Sequence, residues 1–172
     1  MRNVKRIKKL IFLSLLVSLG LALSIIESMI PIPILLPGMK LGLANIVCLI
    51  TLVLFGYKEA FIVAILRSLV FALATGSFSG LAYSLSGAIL STLAMSIIFK
   101  YYSKYFSLIG VSIFGAIFHN VGQLLAASLI MENMKIFSYF PFMTLLSLFT
   151  GYFVGLGSTL TSKNMKKILR ET

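Results

Sequence analysis

The sequence predicts an all-α, polytopic membrane protein: a six-transmembrane-helix bundle with cytoplasmic N and C termini. Three observations carry that reading. Of 172 residues, 59% are hydrophobic and only 11% charged, and mean hydropathy is +1.07, more apolar material than one soluble core can hide. The apolar residues fall into six runs close to the ~20 residues that a helix needs to cross a bilayer. The basic residues are distributed unevenly between the connections, which sets an orientation.

The first run, near 10–30, follows the basic start MRNVKRIKK. It is too long for the apolar core of a signal peptide and no clean small-residue cleavage site follows, so it is a retained span. The runs near 41–57 and 59–75 are separated only by GYKEA and form a tight helical hairpin. The fourth, fifth and sixth runs lie near 79–99, 107–130 and 137–160. No long polar linker interrupts the series, so residues 1–172 are a single transmembrane domain.

With the N-terminus inside, the inner side collects both basic tails together with Lys58, Lys100 and Lys104, while the outer side holds only Lys40 and Lys135. Such asymmetry obeys the positive-inside rule. The net charge of +11 therefore serves topology and attraction to anionic lipid, about 1 kcal/mol per residue near the surface, and not nucleic acid. Trp is absent, which leaves Tyr101, Tyr102, Tyr105, Tyr139 and Phe140 to sit at the interfaces.

Small residues mark helix contacts. Gly151 and Gly155 have the GxxxG spacing that lets two helices approach closely in lipid. Ser14, Ser18 and Ala22 make a stripe on the first span, and Gly80, Ser84, Gly87 and Ser91 make one on the fourth. Packing within the bundle is the default for all of them. The first-span stripe alternatively docks another membrane subunit.

Polar groups at membrane depth are costly, so they face a partner or a cavity. Arg67 lies nine positions from Lys58, roughly 13 Å along a helix and near the midplane. His119, the only histidine, shares a helix face with Gln123, and Asn120 lies beside Gln123. Glu27 ends the first span, and Lys40 and Asn45 return the chain into the second. The candidate ligand-binding set is therefore Glu27, Lys40, Asn45, Arg67, His119, Asn120 and Gln123, biased to the middle and outer half. One reading is a web of interhelical hydrogen bonds with a Glu27–Arg67 pair; the other is a pocket open outward or to the bilayer.

Two connections add to this. PIPILLPGMKLG, residues 31–42, carries three prolines that forbid a regular helix, and it reads either as a cap over an outward pocket or as an interfacial connector. ATGSFSG, residues 74–80, reads as a turn or as an anion cradle at the start of the fourth span.

Enzymatic signatures are missing. The chain has no aspartate, and its acids are Glu27, Glu59, Glu132 and Glu171, which excludes an aspartate-rich magnesium site for diphosphates. One histidine and the single Cys48 cannot build a zinc centre, and no nucleotide-binding motif occurs. No metal, no covalent cofactor and no catalytic residue is expected; if transport consumes ATP, another polypeptide binds it.

ESMIPIP…PGMKLGLANIV (27–47), ATGSFSGLAYSLSG (74–87) and GAIFHNVGQLLAA (115–127) together carry a resemblance over almost the whole chain. The sequence resembles the bacterial membrane family of heptaprenyl diphosphate synthase component I, also called Gx transporters. That family in turn is similar to the substrate-binding S components of energy-coupling-factor (ECF) transporters. The resemblance implies a location in the bacterial cytoplasmic membrane and a pocket in the outer half beneath the first loop. It also implies a coupling subunit with ATPases against the first span. Relatives are associated with isoprenoid and quinone genes, and some with flavin-based extracellular electron transfer beside a membrane-anchored extracellular redox protein. Glu27, Lys40, Asn45, His119, Asn120 and Gln123 fall within the matching motifs, and Arg67 lies between them.

Four functions follow as expectations. The chain is an S-component-like subunit for a vitamin-, flavin- or isoprenoid-related ligand, or a membrane subunit presenting quinone or flavin to a redox partner. Alternatively it is a non-catalytic accessory to prenyl diphosphate synthesis, with Lys40 and Arg67 attracting a diphosphate, or a structural scaffold.

Overall fold

The computed structural model describes residues 2–30 and 40–171, with side chains described over 6–30 and 40–168. These residues form six α-helices: α1 Arg2–Ser28, α2 Asn45–Phe55, α3 Tyr57–Thr75, α4 Phe78–Tyr102, α5 Leu108–Ile130 and α6 Phe140–Glu171. A 3-10 turn, Met134–Tyr139, leads into α6. Four stretches, Arg6–Ser28, Phe78–Tyr102, Leu108–Ile130 and Met134–Ile168, are long and apolar enough to cross a membrane. Their outward faces carry large apolar side chains such as Leu15, Ile26, Leu129 and Phe153, suited to lipid and not to water.

The second helix corrects the expected span near 41–57. Only 11 residues are helical, roughly 16 Å at 1.5 Å per residue, short of a ~30 Å hydrocarbon layer. Residues 41–44 instead form a turn in which Asn45 N–H donates to Gly42 O at 3.0 Å. Gly42 sits at φ +88°, a left-handed conformation that any side chain would strain. The short helix is apolar all round because it is the bundle's central element, touching α1, α3, α4, α5 and α6. Val47, Cys48, Leu49 and Ile50 are fully enclosed.

Around that centre the chain runs up and down. Gly56 turns α2 directly into α3, the expected hairpin, and Gly76 in the left-handed region ends α3. Ser77 then caps α4 by accepting from Gly80 N–H at 3.1 Å, so the hydroxyl assigned to an anion cradle satisfies the helix itself. The α4–α5 contact is antiparallel and close: a methyl at Gly115 would meet Met95, and one at Gly122 would meet the Ser86 backbone. The GxxxG pair works the same way within the chain, with Gly151 against the backbone of Ile113 and Gly155 against that of Ile109 on α5. Lys9 pairs with Glu59, which sets the start of α1 beside the α2–α3 turn. With α3 to α6 alternating, the start of α1 and the end of α6 lie at one end of the bundle.

Helix α1 is the peripheral one. Ser14, Ser18 and Ala22 are exposed, whereas Leu16, Gly20, Ser24 and Glu27 face inward against α2 and α3. Gly20 is pressed onto the Arg67 side chain and Val47.

Candidate functional site

Seven polar side chains anticipated at membrane depth converge inside the bundle, toward the end away from the Lys9–Glu59 pair. Glu27, Lys40, Asn45, Arg67, His119, Asn120 and Gln123 are each at most 3% exposed. Five elements supply them: the end of α1, the chain just before α2, α2 itself, the middle of α3, and one and a half turns of α5.

Gln123 grips the backbone. Its Nε2 donates to the carbonyl of Lys40 at 2.9 Å, and its Oε1 accepts from the Lys40 N–H at 2.9 Å. Both ends of the amide are thus used on one peptide segment. Glu27 holds the next two residues: its Oε1 accepts from the N–H groups of Gly42 and Leu43, the latter at 3.0 Å. The strap Lys40–Leu43 is therefore tied to α5 and α1 by side chains, and the backbone groups of Lys40, Gly42 and Leu43 find partners although it is not helical. Asn120 reaches the opposite way, its Nδ2 donating to the carbonyl of Met143 on α6 at 2.8 Å.

Arg67 donates from Nη1 to Ser24 Oγ at 2.7 Å. Among the described residues no ion pair closes between Glu27 and Arg67, the pair that one of the two readings contained. The two remain electrostatic neighbours, as do Glu27 and Lys40. The Lys40 ammonium lies over the Phe71 ring, 3.0 Å from its centre, a cation–π contact. Burial is the main influence on that ammonium and holds its pKa down to about 7, with Arg67 adding to the effect and Glu27 opposing it. The His119 ring fits against Gly87 of α4 on one side and Gly42 on another, where a methyl on either glycine would touch it.

Several polar atoms of this cluster meet no hydrogen-bond partner among the described residues: Glu27 Oε2, Lys40 Nζ, both amide atoms of Asn45, Arg67 Nε and Nη2, and Asn120 Oδ1. Buried polar groups are normally paired. A narrow crevice with no room for a water molecule borders the cluster between Lys40, Leu41 and Asn120 on one side and Met143, Leu146 and Ser147 on the other. The expected cap over a pocket falls mostly on 31–39, outside the described residues. A larger apolar groove of about 570 Å³ lies at the other end of the bundle, between Leu52, Tyr57, Phe61, Leu93, Ile97 and Lys100.

Ser24, Phe71 and Gly42 belong to the site beyond the seven anticipated residues. Two had a local signal: Ser24 is one turn before Glu27 on α1, and Phe71 one turn after Arg67 on α3. Gly42 had only its position between Lys40 and Asn45.

Long helices that present apolar side chains outward while enclosing this polar cluster define a helical membrane protein. The family model for heptaprenyl diphosphate synthase component I matches residues 16–161, and the chain belongs to that family. No curated protein and no solved structure matches it. The matched region contains every residue of the cluster.

Proposed function

We propose that the protein is a non-catalytic, S-component-like subunit of the bacterial cytoplasmic membrane that binds a small ligand at this cluster and acts with partner membrane proteins in transport. All six helices then belong to the membrane unit, with both termini cytoplasmic and the cluster toward the outer face, the orientation that the basic residues favour. One observation carries the reading: the unused donors and acceptors of Glu27, Lys40, Asn45, Arg67 and Asn120, enclosed in an apolar bundle. Hydrogen bonding within the bundle explains Gln123, whose amide oxygen and nitrogen each have a partner, but not these atoms. An aspartate-free chain suits a binding or accessory role in a family named for a synthase component better than catalysis does.

The ligand enters by displacing the strap or α6, since the crevice at Lys40 and Asn120 is closed to water. Exposed Ser14, Ser18 and Ala22 on α1 offer the partner surface. Gly151 and Gly155, spent on α5, do not.

Mass spectrometry of molecules retained by mildly purified protein tests this directly. A vitamin-like molecule or a flavin co-purifying with an ATPase pair supports the transport reading. A quinone or flavin with an extracellular redox protein points instead to the electron-transfer reading, and a prenyl diphosphate to an accessory of its synthesis. Arg67→Ala and His119→Ala are expected to weaken retention while the bundle stays folded. Normal retention by both variants, or nothing retained beyond ordinary lipid, refutes the pocket.

A further inference from the structure

We propose that the cluster binds an oxyanion, the carboxylate or phosphate-type group of its ligand, between Arg67 and Lys40. The inference rests on the ligand-binding reading above and specifies which chemical group the site takes.

Arg67 is 1% exposed and its guanidinium is only partly engaged. Nη1 is committed to Ser24, while Nε and Nη2 meet no oxygen or nitrogen acceptor among the described residues; the Cys48 thiol, a weak acceptor, lies near the guanidinium. Nε–H and the adjacent Nη2–H point the same way along one edge of the planar group. That edge chelates a carboxylate or phosphate through two parallel hydrogen bonds, and a neutral carbonyl uses it poorly. Lys40 presents the second cation: its Nζ has a ring face beneath it and, among the described residues, no hydrogen-bond acceptor. Arg67 and Lys40 are close enough to influence one another electrostatically.

Charge balance points the same way. Glu27 is the one acid in the cluster, and its Oε1 is already turned to the Gly42 and Leu43 N–H groups. With Lys40 protonated, two cations face one carboxylate in a low-dielectric interior, where uncompensated charge is strongly disfavoured. A bound oxyanion removes the excess and favours the protonated lysine. Asn45, with both amide atoms free, and Asn120 Oδ1 remain for neutral groups on the same ligand.

The lysine can be tested without loosening the strap. Gln123 holds the backbone of Lys40 and not its side chain, so Lys40→Gln keeps both tethers. Equilibrium dialysis of the purified full chain with radiolabelled sulfate and, separately, radiolabelled acetate, at constant chloride, measures the affinity of each group. Protection of the buried Cys48 from a maleimide reports folding in Lys40→Gln, and circular dichroism during heating reports it in Arg67→Gln, which changes a neighbour of the thiol. We expect saturable binding of one anion per chain, weakened about 10- to 100-fold in Lys40→Gln and in Arg67→Gln, the range for losing one hydrogen bond to a charged group. Sulfate preferred over acetate assigns a phosphate-type group, and the reverse a carboxylate. No saturable binding of either anion, or binding unchanged in both folded variants, overturns the inference. If the wild type binds neither anion yet retains a neutral metabolite that the His119→Ala variant loses, the oxyanion is wrong and the pocket stands. If neither anion binds and no metabolite is retained, both readings fail.

Discussion

Replacing Gln123 by alanine cuts both hydrogen bonds that hold the Lys40 backbone to α5. The two bonds, each 2.9 Å, sit where Gln123 is fully enclosed and Lys40 is 3% exposed. Truncation strands a buried N–H and a buried C=O, each costing about 1–3 kcal/mol when left without a partner. The middle of the summed range is about 4 kcal/mol, and at 2–4 °C per kcal/mol for a domain of this size the unfolding midpoint falls by roughly 8–16 °C. Cys48, the chain's single cysteine and fully buried, supplies the assay, because a thiol-reactive fluorophore reports its exposure during heating in detergent. Gln123→Glu keeps an acceptor for the Lys40 N–H but turns an oxygen toward the Lys40 carbonyl, so an intermediate midpoint is expected. A midpoint for Gln123→Ala within about 2 °C of the wild type, equivalent to under about 1 kcal/mol, would refute the tether.

Two further substitutions probe the same architecture. Glu27→Gln preserves an Oε1 acceptor for Gly42 and Leu43, whereas Glu27→Ala removes it, so thermal unfolding should show the alanine variant as the less stable of the two by about 1–3 kcal/mol. Gly155→Ala drives a methyl to 2.5 Å from the Ile109 Cα, a backbone atom that cannot swing aside; a loss of about 1–3 kcal/mol is expected, read as a lower midpoint in the same assay. An unchanged midpoint for Gly155→Ala would mean that α6 sits farther from α5.

Much of the interior was legible because the cost of a polar group in an apolar run is a local property. Glu27, Arg67, His119, Asn120 and Gln123 stood out by residue type against their neighbours, and all five are buried. Which atom answers which was not legible. Gln123 and Lys40 are 83 residues apart, and nothing in either segment says that an amide side chain will clasp a peptide backbone. The Glu27–Arg67 pair that one reading contained does not form, for a related reason. A carboxylate at the end of α1 faces two competing sets of donors, and the N–H groups of the turn at Gly42 take it, leaving Arg67 to Ser24. The second span was misjudged in length because hydropathy does not separate a helix from the apolar turn that precedes it; the glycine at 42 was the available clue.

The sequence alone determined that this chain is helical, that its helices are apolar enough for lipid, and that a few polar residues must be hidden among them. These follow from composition and period, which each segment carries without reference to the others. Only the tertiary structure decided that α2 is the centre, that GxxxG serves α5 within the chain, and that Lys40 Nζ and one edge of the Arg67 guanidinium find no acceptor among the described residues while one acid is spent on a turn. Such outcomes depend on which of several competing partners lies nearest once the helices have packed, and that distance is written in no single segment.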